Sequence, residues 1–188
     1  MATKLIFLRH GETVKDPEVE SCQWSLSEAG RRQAREVADR PVMNEAEAIN
    51  TSNELKAYQT AEPLAAKLDL SIKQDPAFDE VKRGGGFFSE SQFIAEKNRQ
   101  LSDLSYRAFG EASETGLEAL ERFRQGIKRA TERSPNGTVL IVSHGTILSI
   151  YFGDLLDKIA ELPERWHRTG FGAYGVVAGD RVVKDIVD

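Results

Sequence analysis

The chain has 188 residues, 40% hydrophobic and 29% charged: enough apolar material for one folded domain with a substantial core, and too much for a disordered chain. Lysine and arginine number 25 against 30 aspartates and glutamates, a net charge of −5, which argues against a broadly basic surface of the kind that holds nucleic acid non-specifically. The single cysteine, Cys22, excludes an intrachain disulfide and reads as an ordinary thiol of a reducing compartment.

Residues 4–8 form a short apolar run that reads as a buried strand and stops at Arg9-His10-Gly11. The run is too short for a signal sequence, and no stretch reaches transmembrane length, so a cytoplasmic location without membrane contact is expected. Ser27 is placed to cap a helix to about residue 39, with Ala34, Val37 and Ala38 on one face and Pro41 just beyond. Residues 46–51 read as a second strand. Residues 57–68 read as a helix with Pro63 as a possible kink, and 70–73 as a weak third strand. An irregular stretch, 75–90, holds Gly84-Gly85-Gly86 followed by Phe87 and Phe88, which would either dock the loop or cover a ligand. Helical periods follow at 91–101 and 115–130. The clearest strand is Thr-Val-Leu-Ile-Val at 138–142; it ends in Ser143-His144-Gly145, and a helix is expected over 146–156. Residues 174–178 and 181–186 suggest a hairpin across Gly179-Asp180. The alternation predicts an α/β three-layer sandwich, with a mainly parallel central sheet, an antiparallel edge and helices on both faces. Residues 1–188 are expected to form one domain, with an insertion at about 78–112 that covers a site.

Two of the three histidines, His10 and His144, each follow an apolar strand and precede a glycine. Open α/β sheets bind ligands at the carboxyl ends of their strands, so parallel central strands would bring both rings to one crevice. Gly11 and Gly145 would let backbone approach a ligand and offer N–H groups to an anion, and Arg9 adds a fork-shaped cation. Alternatives remain at this level. A histidine in a turn is often structural or solvated, and two histidines with a carboxylate can hold zinc. However, no H-x-H or H-x-x-x-H pair is present, and Arg9 would repel a metal cation.

Arg9-His10-Gly11-Glu12-Thr13 resembles the signature of the histidine phosphatase superfamily, which includes cofactor-dependent phosphoglycerate mutase and many small phosphatases. Four further segments resemble that family in its own order: residues 26–34, 51–61, Phe78-Asp79-Glu80, and Val142-Ser143-His144-Gly145. The resemblance implies a phosphoglycerate mutase-like fold and a nucleophilic role for His10. It implies Glu80 as proton donor, with Asp79 able to take that place if the loop shifts by one residue. Arg9, His144 and Lys56 would hold the phosphoryl oxygens, assisted by Gly11, Gly145 and the Thr13 hydroxyl, unless Thr13 only caps its loop. No metal and no cofactor are implied; the partner is a small phosphorylated metabolite or a phosphoprotein.

The chain departs from the family where Lys56 stands in place of an arginine, which keeps the charge and loses the bidentate fork. Lys82 or Arg83 would either substitute for it or line the substrate rim. Val14-Lys15-Asp16-Pro17 lacks the asparagine usual in mutases, which favours a phosphatase. The alternatives are a phosphoglycerate mutase-type phosphotransferase and a non-catalytic phosphate-binding or interaction module. Trp24 and Trp166 read as packing residues, Ser52 and Ser143 as loop-shaping ones, and His167 as a surface histidine.

Overall fold

The computed structural model describes residues 3–84 and 88–187. Gly85, Gly86 and Phe87 of the expected glycine-rich loop lie outside them.

Two strands carry the centre. Strand β1 (Lys4–Arg9) and β4 (Thr138–Ser143) pair in parallel, Leu8 beside Val142 and Arg9 beside Ser143. Both are buried on both faces, which is why each reads as an unbroken apolar run. Alternation sorts their side chains: Leu5, Phe7, Val139 and Ile141 enter one core, and Ile6, Leu8, Leu140 and Val142 the other. On the far side of β4 lie β2 (Ala48–Thr51) and then β3 (Ile72–Gln74), both parallel. Beyond β1 lie β5 (Tyr174–Ala178) and β6 (Arg181–Lys184), both antiparallel to their neighbours, giving the order β3-β2-β4-β1-β5-β6.

Helices α1 (Glu28–Ala38) and α2 (Leu55–Leu68) cover the Ile6 face; α4 (Gly116–Arg133) and α5 (Gly145–Leu155) cover the Phe7 face. Ser27 caps α1 by accepting the Gly30 N–H at 3.0 Å. Helix α2 continues through Pro63. Between β3 and α4 stands α3 (Glu90–Ser102), with a reciprocal Ser89/Gln92 cap.

Two expectations are corrected in detail, and one element is added. The third strand begins at Ile72, because α2 closes with Asp69 in the left-handed region (φ 54°) and Leu70 N–H on the Ala65 carbonyl. The last strand stops at Lys184, where Asp185 turns inward to take the Arg165 guanidinium at 2.6 Å. A short helix, α6 (Leu162–Arg168), was not expected; seven residues are too few to show a helical period. Trp166 of α6 packs against the Phe7-side core, and His167 is exposed. No described helix is long and apolar enough to cross a membrane.

Candidate active site

The β1/β4 register sets the geometry. His10 continues past β1 and donates its N–H to the Ser143 carbonyl at 3.0 Å, one residue before His144. The two imidazoles therefore lie side by side, with centroids 5.0 Å apart, both buried. Nδ1 of His10 lies 2.7 Å from the Gly11 carbonyl oxygen. A carbonyl only accepts, so Nδ1 carries the proton and Nε2 keeps its lone pair. Burial, then the charges of His144, Arg9 and Lys56, hold the His10 pKa well below 6.5, so the ring is neutral at pH 7.

Arg9 ends β1 and hydrogen-bonds the Thr169 carbonyl; its guanidinium carbon sits 4.3 Å from the centre of the Phe171 ring. Burial lowers its pKa to about 10, so it stays charged. It also fills the space beside Gly145, where a Cβ would come within 2.8 Å of it. That glycine serves close packing of Arg9 on the first residue of α5.

Gly11 is corrected in one respect. Its N–H is taken by the Thr60 hydroxyl at 3.0 Å and is not free for an anion. The absent side chain makes room for Gly30, whose carbonyl oxygen would lie 2.6 Å from a Cβ. A Cβ on Gly30 would in turn fall 2.0 Å from the Glu12 carbonyl oxygen. The loop is thus clamped backbone to backbone on α1. Glu12 strengthens the clamp, accepting from the Ser27 hydroxyl at 2.7 Å while its N–H reaches Gln33 at 2.8 Å. Thr13 forms a backbone bridge with Leu26.

The neighbouring acids Asp79 and Glu80 separate cleanly. Asp79 accepts from the Ser52 hydroxyl and the Asn53 N–H, at 2.8 and 2.7 Å, and shapes the loop between β2 and α2. Ser143 is likewise spent on loop shape, donating to the Phe78 carbonyl at 2.7 Å. Glu80 turns to the start of α5, where its oxygens accept the N–H groups of Thr146 and Ile147 at 3.0 and 3.1 Å; the Val81 N–H adds a third contact at 2.9 Å. Burial alone would raise its pKa, but Lys97, His144 and these amides carry it far below the usual carboxylate range.

Lys56 opens α2 from inside. Its buried ammonium pairs with Glu54 and donates to the Ser21 carbonyl at 2.7 Å. Glu54 also lies 3.5 Å from Nε2 of His144. Among the described residues, neither ring nitrogen of His144 has a hydrogen-bond partner; burial lowers its pKa, and Glu54 pulls the other way.

Lys82 is exposed, its backbone tied to Glu114, and Arg83 lies over the Phe93 ring at 5.3 Å. Phe88 docks edge-on against Phe109 at 5.0 Å. Sequence reasoning missed Glu54, Phe171 and Lys97. Glu54 stands directly before α2 and reads as a helix cap, although its side chain makes no cap bond. Lys97 is buried against Phe93 and Phe109, its pKa pushed down to about 8 by burial. Nothing in a single sequence marks Phe171.

Comparison with known proteins identifies the fold and the family. The chain is 30% identical over 150 residues to PhoE of Bacillus subtilis (strain 168), an uncharacterized phosphatase, covering 78% of this chain and 74% of that one. The structure of YhfR from Bacillus stearothermophilus is 26% identical, with a TM-score of 0.74 over 97% of this chain and 95% of that one. A mycobacterial glucosyl-3-phosphoglycerate phosphatase shares the fold at 20% identity, with a TM-score of 0.80 over 100% of both chains. The model of the histidine phosphatase superfamily (branch 1) matches residues 5–178, and the chain belongs to that family.

Proposed function

We propose that the protein is a metal-independent phosphatase that hydrolyses a phosphomonoester through a phosphohistidine at His10. The observation that carries this reading is the His10 ring itself: it is neutral, its proton is pinned at Nδ1 by the Gly11 carbonyl, and Nε2 is left as a nucleophile beside Arg9 and His144. Nε2 attacks phosphorus and the ester P–O bond breaks. Arg9, Lys56, His144 and the first amide of α5 at Gly145 hold the phosphoryl oxygens. Glu80 gives a proton to the leaving oxygen, then takes one from the water that cleaves the P–N bond, and phosphate is released. Its carboxyl is acidic in the resting site; an arriving phosphoryl dianion adds negative charge opposite it and raises its proton affinity. A small phosphorylated metabolite is the substrate class, in keeping with the sugar-phosphoglycerate named for the mycobacterial structure.

The test is hydrolysis of p-nitrophenyl phosphate with chelator present, wild type beside His10→Ala. Turnover that survives chelation and vanishes in the variant is expected. Turnover retained by His10→Ala, or abolished by the chelator, would overturn the reading.

A further inference from the structure

Glu54 has no part in the chemistry above, yet its carboxylate lies among the groups assigned to it. Only 8% of the residue is exposed. One oxygen pairs with the Lys56 ammonium; the other accepts the Glu80 N–H at 3.0 Å and lies 3.5 Å from Nε2 of His144. Burying a carboxylate is costly, and this one lies against Lys56 and His144, two of the groups assigned to the phosphoryl oxygens. Resting on the phosphohistidine reading of this site, we propose that Glu54 is a resident competitor for the phosphoryl seat, keeping its hold on inorganic phosphate weak so that product leaves after each turnover.

Two physical effects act in the same direction. A phosphoryl oxygen that accepts from Nε2 of His144 must come close to the Glu54 oxygen beside that nitrogen, and like charges at such range oppose each other strongly away from bulk water. The Lys56 ammonium is also already neutralised, because two of its donors are committed to Glu54 and the Ser21 carbonyl. The charged and titratable groups around the carboxylate are Lys56 in the first turn of α2, His144 after β4, Lys97 on α3 and Glu80 on the segment after β3. Arg9 alone of the assigned cations has its bond elsewhere, on the Thr169 carbonyl, and remains the anchor for substrate. Lysine at position 56 fits this arrangement: its point charge is weaker in grip than a guanidinium fork and can be shared with a carboxylate of the chain.

The experiment measures inorganic phosphate and orthovanadate binding to the wild type and to Glu54→Gln, by inhibition of p-nitrophenyl phosphate hydrolysis and by calorimetry. Phosphate and vanadate are expected to bind about tenfold more tightly, or better, in the variant. Glu54→Ala serves as a second variant, read by the rise of its melting temperature with phosphate, which needs no turnover. Unchanged or weaker phosphate binding in a folded variant would overturn the proposal and make Glu54 the residue that holds Lys56 in place. Failure of both variants to fold would overturn it as well, marking Glu54 as a structural counter-ion. A wild type that neither hydrolyses the ester nor binds phosphate would instead remove the phosphohistidine reading on which the proposal stands.

Discussion

The two sides of the site are built by different means. On one side, His10 and His144 are placed by backbone: strand register, the His10 N–H on the Ser143 carbonyl, and the contact of Gly11 with Gly30. On the other side, Glu54, Lys56, Glu80 and Lys97 are placed by one another's charges and by the amides of α5. Backbone placement leaves little freedom, because a main-chain contact has no rotamer with which to adapt. Placement by charge tolerates exchange, since the same potential can be reached by several side chains. Lys56 belongs to the side built by charges, and Arg9-His10-Gly11 to the side built by backbone.

The sharpest way to break this comparison is Gly30→Ala. Its methyl group would fall 2.0 Å from the Glu12 carbonyl oxygen, with only backbone to yield. A loss of about 3 kcal/mol or more in urea unfolding, with loss of turnover, is expected; a variant as stable as wild type would mean that the loop carrying His10 is not clamped. The next effect is smaller and depends on pH. His10 and His144 both have folded-state pKa values below the unfolded value of about 6.5. Their stabilising contribution is therefore complete above that value and is lost as pH falls from it towards the folded values. Thermal melts from pH 8 to 5 should show the wild type losing stability on the acid side, and His10→Asn losing less. Equal acid sensitivity in the two proteins would show that His10 is not held neutral by burial. The smallest effect belongs to the charge-built side: Lys56→Arg should turn over p-nitrophenyl phosphate within about threefold of wild type or faster, since the fork can serve both Glu54 and a phosphoryl oxygen. A large loss there would mean that this side too is held by shape.

What could be read in advance follows the same division. Strands β1 and β4 are legible as apolar runs because both faces are covered, and the histidines that end them are legible because a strand followed by His-Gly is a local pattern. Helix α6 is not, being only seven residues long. Asp79 and Glu80 cannot be told apart in a sequence, since neighbouring side chains in an extended segment point to opposite sides and only the packed loop decides which meets α5. Glu54 stayed hidden for a related reason. An acid before a helix is ordinarily a cap facing solvent, and its inward turn depends on Lys56 beside it and on Glu80 and His144, which reach it from two distant segments.

The meeting of Gly11, Glu12 and Gly30 also bears on how such a chain can change over generations. Most packed positions can drift in pairs, one side chain shrinking as its neighbour grows. Here each partner is a carbonyl or an α-carbon, so a substitution at either glycine has no compensating change available at the other. This crossing is a point where mutational paths close, and the loop that carries His10 and the first turn of α1 can change only as one unit.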